Sequence, residues 1–129
     1  MLNRLNSTGN NMKITLNHMS VSISGDYYQV SFHEKNDNGS TEITDAPYFL
    51  IQRQFEMPDG GKIYIESLDE NYIGHFVVKS AVLQKDKIKL ELKRPNYSKI
   101  EISYKTTEKG FKELHSAIKA MIPKVNLKL

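Results

Sequence analysis

Cysteine is absent from this chain of 129 residues. Without cysteine the fold has no disulfide to staple it, and the protein has no thiolate for catalysis. A chain of this length forms one domain and buries roughly two-thirds of the surface that its unfolded state exposes. We therefore expect a self-sufficient hydrophobic core in a protein of a reducing compartment.

Long apolar runs are absent as well. The first residues, MLNRLNSTGNN, contain no continuous apolar segment and no small-residue cleavage site. No later run approaches the ~18 apolar residues of a membrane span. We expect residues 1–11 to be a flexible leader, residues 12–129 to be a single domain, and the protein to be cytoplasmic and to make no membrane contact.

The short motifs of phosphate-binding loops, serine hydrolases and zinc peptidases are also missing, and no pair of carboxylates marks a cleft. His75 follows a glycine at a predicted loop-to-strand boundary, where a general base can be imagined. A potential general base without a nucleophile, a metal or a phosphate-binding loop is weak evidence for a catalytic site. We therefore expect no enzymatic activity and no cofactor.

Charge of both signs is present, but it is divided unevenly along the chain. Residues 1–84 carry 6 Lys and Arg against 10 Asp and Glu, whereas residues 85–129 carry 12 against 5, so that −4 and +7 give the net charge of +3. A basic half can indicate a nucleic-acid or acidic protein partner. The alternative is that the lysines solvate one sheet face and one helix face.

Apolar and polar residues alternate through most of the chain, and this pattern predicts an antiparallel sheet. In SVSISGDYYQVSFH, a two-residue turn at Gly25–Asp26 pairs Val21 with Val30 and Ile23 with Tyr28. Each apolar residue then faces an apolar partner, which favours this register over a slip by one residue.

The same register places His18 opposite His33 on the polar face of the hairpin. Two imidazoles on paired residues are close enough to share a metal ion. A zinc site needs three or four protein ligands, and no third ligand is predicted nearby. We therefore interpret the two histidines as a solvated pair and predict no metal site.

Two more alternating strands, KIKLELK and KIEISYK, follow in the basic half and are joined by the turn-forming residues RPNY. Their outward residues form a stripe of lysines interrupted by glutamates. Nucleic-acid grooves usually add aromatic stacking or arginine forks, and this stripe has neither. Nucleic-acid binding is therefore our third hypothesis.

One helix is predicted, from about Thr107 to Met121. Thr106 or Thr107 can cap its start, and Pro123 ends it. Its apolar stripe consists of Phe111, Leu114, Ala117, Ile118 and Met121. The nearest surface that can cover this stripe is the apolar face of the preceding hairpin. The predicted fold class is α+β, an antiparallel meander of about seven strands with one carboxy-terminal helix packed on one face.

The stretch YFLIQRQFEMPDGGKIYIE, residues 48–66, places polar side chains in the second half of an apolar strand. Its turn, Pro58–Gly61, allows two registers. A type I turn with a glycine bulge sets Gln52 opposite Glu66 and puts Arg53 on the apolar face with Ile51. A four-residue loop instead sets Arg53 opposite Glu66.

Both registers bring Arg53 and Glu66 within about one residue of each other on adjacent strands. We predict a partly buried polar cluster that fixes the strand register. Its members are Gln52, Arg53, Tyr64 and Glu66. A binding role for the same cluster is the alternative.

The succession FLIQRQF, a turn, IYIES, Gly74, AVLQKDKIKLELK, IEISYK and FKELHSAI resembles the immunity protein ten family of bacterial polymorphic toxin systems. The resemblance covers residues 47–120 and rests on two short motifs. Ile51–Arg53 departs conservatively from Leu-Gln-Arg, and Tyr64–Glu66 keeps Tyr-Ile-Glu. The amino-terminal third does not match.

The resemblance implies a non-enzymatic protein that binds a cognate toxin domain in the cytoplasm of the producing bacterium. For a basic toxin, the acidic loops would form the contact, with Tyr72 as an aromatic anchor. The other contact candidates are Glu56, Asp59, Asp69 and Glu70. Acidic loops can also be merely soluble loops.

A competing hypothesis is a homo-oligomeric adaptor or interaction module that uses an exposed strand edge. An immunity protein can be a monomer or a weak homodimer, whereas an assembly module cannot be monomeric. The mass of the purified protein in solution separates the two hypotheses.

Overall fold

The computed structural model describes residues 11–34, 46–55 and 60–128. Its elements are β1 (Met12–Thr15), β2 (His18–Ser24), β3 (Tyr27–His33), β4 (Tyr48–Gln54), β5 (Lys62–Ser67), a single 3₁₀ turn (Glu70–Tyr72), β6 (Gly74–Gln84), β7 (Lys87–Leu92), β8 (Lys99–Ser103), α1 (Glu108–Met121) and β9 (Asn126–Leu127). Residues 1–10, which are most of the predicted leader, lie outside the described part. No described helix is long and apolar enough to cross a membrane.

The strands form one sheet in the order β1-β8-β7-β6-β5-β4-β3-β2. The seven strands from β2 to β8 are an antiparallel meander. The predicted class, α+β with about seven meander strands and one carboxy-terminal helix, is confirmed. The sequence pattern missed the parallel pairing of β1 with β8 and of β9 with β6, because both strands are short.

Strand β6 divides this sheet into two halves. Its first residues, Gly74–Val77, pair with β5, whereas the residues from Val78 onward pair with β7. The register shifts between Val78 and Ser80, where the strand bends. We call β2 to β5 with the start of β6 the first half-sheet, and the rest of β6 with β7, β8 and β1 the second half-sheet.

Both half-sheets bury their inner face in a single core. Phe32 of β3 and Tyr104, directly after β8, have ring centroids 5.3 Å apart although four strands separate β3 from β8. In a flat sheet with strands about 4.8 Å apart, that separation would be about 24 Å. The sheet must therefore curl strongly around its inner face.

Helix α1 lies inside this curl. Thr107 caps it, since the Gly110 N–H donates to the threonine hydroxyl (3.0 Å). The five residues of the predicted apolar stripe are all buried. The helix packs closest against β2 and β3 rather than the hairpin that precedes it. The expected packing partner was wrong because the curl, which the local pattern does not reveal, brings the first half-sheet to the helix.

The predicted register of the β2–β3 hairpin is confirmed. Val21 pairs with Val30 and Ile23 with Tyr28 across the turn at Gly25. Gly25 has a φ of 59°, the positive value that a two-residue hairpin turn requires at this position.

Both predicted registers of β4 and β5 are wrong. Leu50 pairs with Glu66, and Gln52 pairs with Tyr64. The end of β4 stays with the neighbouring hairpin instead of β5, since Gln54 pairs with Tyr27. The Phe55 N–H likewise donates to the Asp26 carbonyl (2.9 Å). The β4–β5 ladder therefore begins farther from its turn than turn chemistry alone predicts.

Candidate binding face

Arg53 points to the inner side of the sheet. Its Nη1 donates to the Met121 carbonyl at the end of α1 (2.7 Å). Its guanidinium also lies 4.5 Å from the centroid of the Phe55 ring. A positive charge is favourable at a helix carboxy terminus, where carbonyls lack intrahelical partners. An arginine in this strand therefore fastens the helix end to the sheet.

The predicted polar cluster is consequently divided between the two faces of the sheet. Gln52, Tyr64 and Glu66 occupy alternate positions that point outward, whereas Arg53 occupies an inward one. The register that set Arg53 opposite Glu66 is therefore incorrect. The other register differs from the observed one by two residues, which moves the pairs but keeps every side chain on its face.

The outward residues of the first half-sheet form what we call the tyrosine–glutamine face. They are His18, Ser20, Ser22, Ser24, Tyr27, Gln29, Ser31, His33, Tyr48, Leu50, Gln52, Gln54, Lys62, Tyr64, Glu66, His75 and Val77. Backbone pairing aligns Ser22, Gln29, Gln52, Tyr64 and His75 in one row across five strands. The face is thus a regular array of mostly neutral hydrogen-bonding groups.

Gln29 is the centre of one hydrogen-bond network on this face. Its Oε1 accepts from the Tyr27 hydroxyl (2.6 Å) and from Gln52 Nε2 (2.8 Å). Its Nε2 donates to the Ser31 hydroxyl (3.2 Å). The network joins β3 to β4 through side chains and fixes the orientation of the Gln29 amide.

Glu66 is the centre of a second network. Its carboxylate accepts from the Tyr48 hydroxyl (2.8 Å) and from the Tyr64 hydroxyl (3.0 Å). These hydrogen bonds raise the pKa of both tyrosines above the usual value, because ionising either phenol would lose the bond and place a second negative charge beside the carboxylate. Two neutral phenols therefore hold one half-buried carboxylate in place.

Aromatic and apolar side chains extend the face at β5 and β6. The rings of His75 and Tyr64 lie 5.1 Å apart. Leu68 and Ile73, between β5 and β6, are 52% and 43% exposed. His75 is exposed, and its ring lies beside the ring of Tyr64. This contact does not provide the nucleophile or metal that a catalytic histidine needs.

The predicted pairing of His18 with His33 is present, and their rings stack with centroids 5.9 Å apart. Within residues 11–34, 46–55 and 60–128, no group of three potential ligands could hold a metal ion. The histidine pair therefore contributes two flat rings to the end of the tyrosine–glutamine face.

The outer side of the second half-sheet has a different chemistry. Its lysines and glutamates alternate as predicted, and we call it the lysine–glutamate face: Lys13, Lys87, Lys89, Glu91, Lys99 and Glu101. Lys13 and Lys87 both lie near Glu101, with N–O distances of 3.8 and 3.6 Å. A pocket of about 610 Å³ opens on this face beside Lys89, Lys99 and Glu101. The interleaved glutamates dilute the positive potential that a nucleic-acid groove needs.

The predicted contact residues differ in their exposure to solvent. Tyr72 is 1% exposed, so it is not available as an aromatic anchor. Asp69 and Glu70 are exposed, and the Asp69 carboxylate accepts from the Asn71 N–H (2.9 Å), which caps the 3₁₀ turn. Glu56 and Asp59 lie outside the described residues.

Tyr72 belongs to the hydrophobic core, and an arginine distant in sequence lies beside its ring. The Arg94 guanidinium lies 4.4 Å from the Phe76 ring centroid and 5.6 Å from that of Tyr72. It also donates to the carbonyls of Asn71 (2.7 Å) and Tyr97 (2.8 Å). Burial raises the pKa of Tyr72 to about 12. The residues around Tyr72 give no sign of this arrangement, because Arg94 lies far away along the chain.

No protein-family model matches this chain, and no curated protein is significantly similar to it in sequence. The resemblance to the immunity protein ten family therefore depends on its two short motifs. In the structure, Gln52, Tyr64 and Glu66 from those motifs share the tyrosine–glutamine face.

Proposed function

We propose that this protein is a non-enzymatic immunity protein that binds and neutralises a cognate toxin domain in the cytoplasm of the producing bacterium. The observation that carries the proposal is the tyrosine–glutamine face, an extended and hydrogen-bonded outer surface. The motif resemblance supports it, because three motif residues contribute to that face.

The composition of the face suits protein recognition. Tyrosine supplies a large amphipathic contact area at a low cost in conformational entropy, and serine and glutamine supply adaptable hydrogen bonds. The networks around Gln29 and Glu66 hold these groups in position before a partner arrives. Preorganisation of this kind improves affinity, because less ordering remains to be done on binding.

Charge enters this proposal at the margin of the face. Asp69 and Glu70 follow the exposed Leu68 and are themselves exposed. Acidic residues at the rim of an interface accelerate encounter with a basic partner and contribute less to the lifetime of the complex. We therefore assign attachment to the tyrosine–glutamine face and electrostatic steering to the neighbouring acidic turn.

The test is co-expression of this protein with the product of the adjacent toxin gene, with cell growth and co-purification as readouts. Tyr64→Ala should abolish protection and co-purification, because it removes an aromatic side chain from the middle of the face. Lys89→Ala is the matched control, since it truncates an outward strand residue on the lysine–glutamate face. Circular dichroism should show that both variants are folded.

Two outcomes would contradict the proposal. One is that the parent protein neither protects the cells nor co-purifies with the adjacent gene product. The other is that Lys89→Ala removes protection while Tyr64→Ala preserves it, which would move the contact to the second half-sheet.

A further inference from the structure

Strand β2 ends the sheet and has the features of an open edge. Its seven residues, HMSVSIS, include no proline, lysine or carboxylate, and its register with β3 is continuous. Within the part of the chain that the structure describes, no strand pairs with the free edge of β2, the edge opposite β3. Proteins usually protect an edge with charge, proline, a bulge or a short strand, because an open edge pairs with other chains.

The opposite end of the sheet is protected in the usual way. Strand β1 has only four residues and carries Lys13, whose side chain is 81% exposed. Strand β9, at the side of β6, has two residues. The contrast indicates that the openness of β2 is a specific feature of that strand.

The backbone of β2 presents hydrogen-bonding groups at its free edge. Ser24 and Tyr27 flank a two-residue turn and therefore exchange backbone hydrogen bonds with each other. In an antiparallel pair, such bonded positions alternate with positions that point away. The N–H and C=O groups of Met19, Val21 and Ile23 consequently point away from β3, toward the free edge.

The side chains beside this edge are apolar or of opposite charge. Ile23 is 52% exposed although it lies on the inner side with Val21. Between β2 and α1 lies a groove of about 380 Å³, lined by Val21, Ile23, Lys112, Glu113 and Ser116. An incoming strand would therefore cover apolar surface and meet one lysine and one glutamate.

We propose that a second copy of this chain pairs with β2 in antiparallel orientation about a twofold axis at Val21. In that register, Val21 faces Val21 of the second copy, and Met19 faces its Ile23. Apolar side chains meet on the inner side, and Ser20 meets Ser22 on the outer side. Each of the outward N–H and C=O groups finds a partner.

The charges at the groove are also compatible with two copies. Lys112 and Glu113 are adjacent on α1 and line the same groove. A twofold axis brings the groove of one copy to the groove of the other, so that the lysine of each can face the glutamate of its neighbour. Because the strand contains no lysine, arginine or carboxylate, the pairing opposes no like charges of these groups along the ladder.

The pairing has a consequence for recognition. It joins two tyrosine–glutamine faces edge to edge, with the serines of β2 at the seam. The combined outer surface is continuous and twofold symmetric. The dimer stands independently of the proposed function, because it depends on β2 and α1 alone.

Sedimentation velocity across a concentration series tests the dimer. The parent should shift from one chain mass to two as its concentration rises, whereas Ile23→Lys should stay monomeric because it places a charge in the interface. Ile73→Lys is the matched control, since Ile73 is a similarly exposed isoleucine away from β2. A parent that stays monomeric throughout, or an Ile23→Lys variant that dimerises like the parent, overturns the proposal.

Cysteine crosslinking tests the register, and the chain has no cysteine of its own to interfere. Val21→Cys should form an intermolecular disulfide under mild oxidation, since directly opposed residues are within disulfide reach. Ile23→Cys should crosslink at least tenfold more slowly, because its counterpart lies four residues along the ladder. Equal rates would overturn pairing about Val21.

Discussion

Glu66 and Glu101 lie on the outer sides of the two half-sheets, and each has two partners on its face. Glu66 accepts hydrogen bonds from the neutral phenols of Tyr48 and Tyr64 at 2.8 and 3.0 Å. Glu101 lies 3.8 and 3.6 Å from the ammonium groups of Lys13 and Lys87. One sheet therefore carries a hydrogen-bonded face and an ion-paired face on its outer side.

The difference supports the proposal that the tyrosine–glutamine face, rather than the lysine–glutamate face, binds a protein partner. Short hydrogen bonds between half-buried groups restrict side-chain motion, and the face carries few lysines and carboxylates, so a partner can cover it without desolvating many charges. The ion pairs of Glu101 are longer than these hydrogen bonds, and one of them involves the exposed Lys13, so water and salt screen them and they hold their side chains more weakly. The lysine–glutamate face is better suited to keeping the protein soluble.

The largest predicted effect concerns the cation that the first half-sheet turns inward. Arg53→Met should lower the free energy of unfolding by about 2 kcal/mol, because it removes a charge-assisted hydrogen bond to the end of α1. For a domain of this size, that corresponds to a fall in Tm of about 6 to 10 °C. Thermal melts monitored by circular dichroism measure it.

The matched control is Lys89→Met, the same replacement of a cation on the outer side of the second half-sheet. It should change stability by less than about 0.5 kcal/mol, because Lys89 is exposed. If the two variants melt alike, Arg53 does not fasten the helix to the sheet, and the contrast between an inward and an outward cation is lost.

The second prediction removes both donors from Glu66. Combining Tyr48→Phe with Tyr64→Phe should lower Tm by a smaller amount than Arg53→Met, since both phenols are partly exposed and water can replace them. The aromatic rings remain, so packing is unchanged. Calorimetry of the double variant beside the parent provides the measurement, and an increase in Tm would show that the network is strained.

Local patterns predicted those parts of the fold that local chemistry determines. The Gly25 turn sets the β2–β3 register, and the threonine cap and apolar stripe define α1. Alternation within β4 and β5 also placed Gln52 and Glu66 on one side in one of the two predicted registers. These features depend on residues that are close together along the chain.

Long-range contacts explain the failures. Arg53 donates to the carbonyl of Met121, and Arg94 lies beside the ring of Tyr72. The sequence around each arginine does not indicate its partner, because the partner is distant along the chain. The end of β4 likewise pairs with β3, and Phe55 donates to the β2–β3 turn, which lies far from β4 along the chain. The tyrosine–glutamine face emerges only once five strands are placed side by side.

A third prediction concerns alkaline pH. Hydrogen bonding to Glu66 raises the pKa of Tyr48 and Tyr64 in the folded state above the value of 10.0 expected for the unfolded chain. The stability that this contributes is complete below pH 10 and is lost as pH rises through the folded-state pKa values. The difference in Tm between the parent and the double phenylalanine variant should therefore be constant near pH 7 to 9 and shrink above pH 10.

Thermal melts of the parent and the double variant at a series of pH values test this prediction. Deprotonation of lysines elsewhere in the chain affects both proteins alike, so it cancels from the difference in Tm. A difference that stays constant to high pH would show that the two phenols do not contribute through their bonds to Glu66.

The smallest predicted effect belongs to Glu101. Combining Lys13→Met with Lys87→Met should cost less than about 1 kcal/mol at low salt, since the Lys13 side chain is 81% exposed and both N–O distances exceed 3.5 Å. At about 1 M salt, where the Debye length is about 3 Å, the cost should vanish. The loss caused by the double phenylalanine variant should persist at that salt concentration, because its hydrogen bonds join neutral donors to the carboxylate at close range. Melts of both double variants at the two salt concentrations decide the matter. If the lysine variant is the more damaging, or if salt removes the tyrosine effect instead, the ion-paired face is the more rigid one and the binding surface belongs on the second half-sheet.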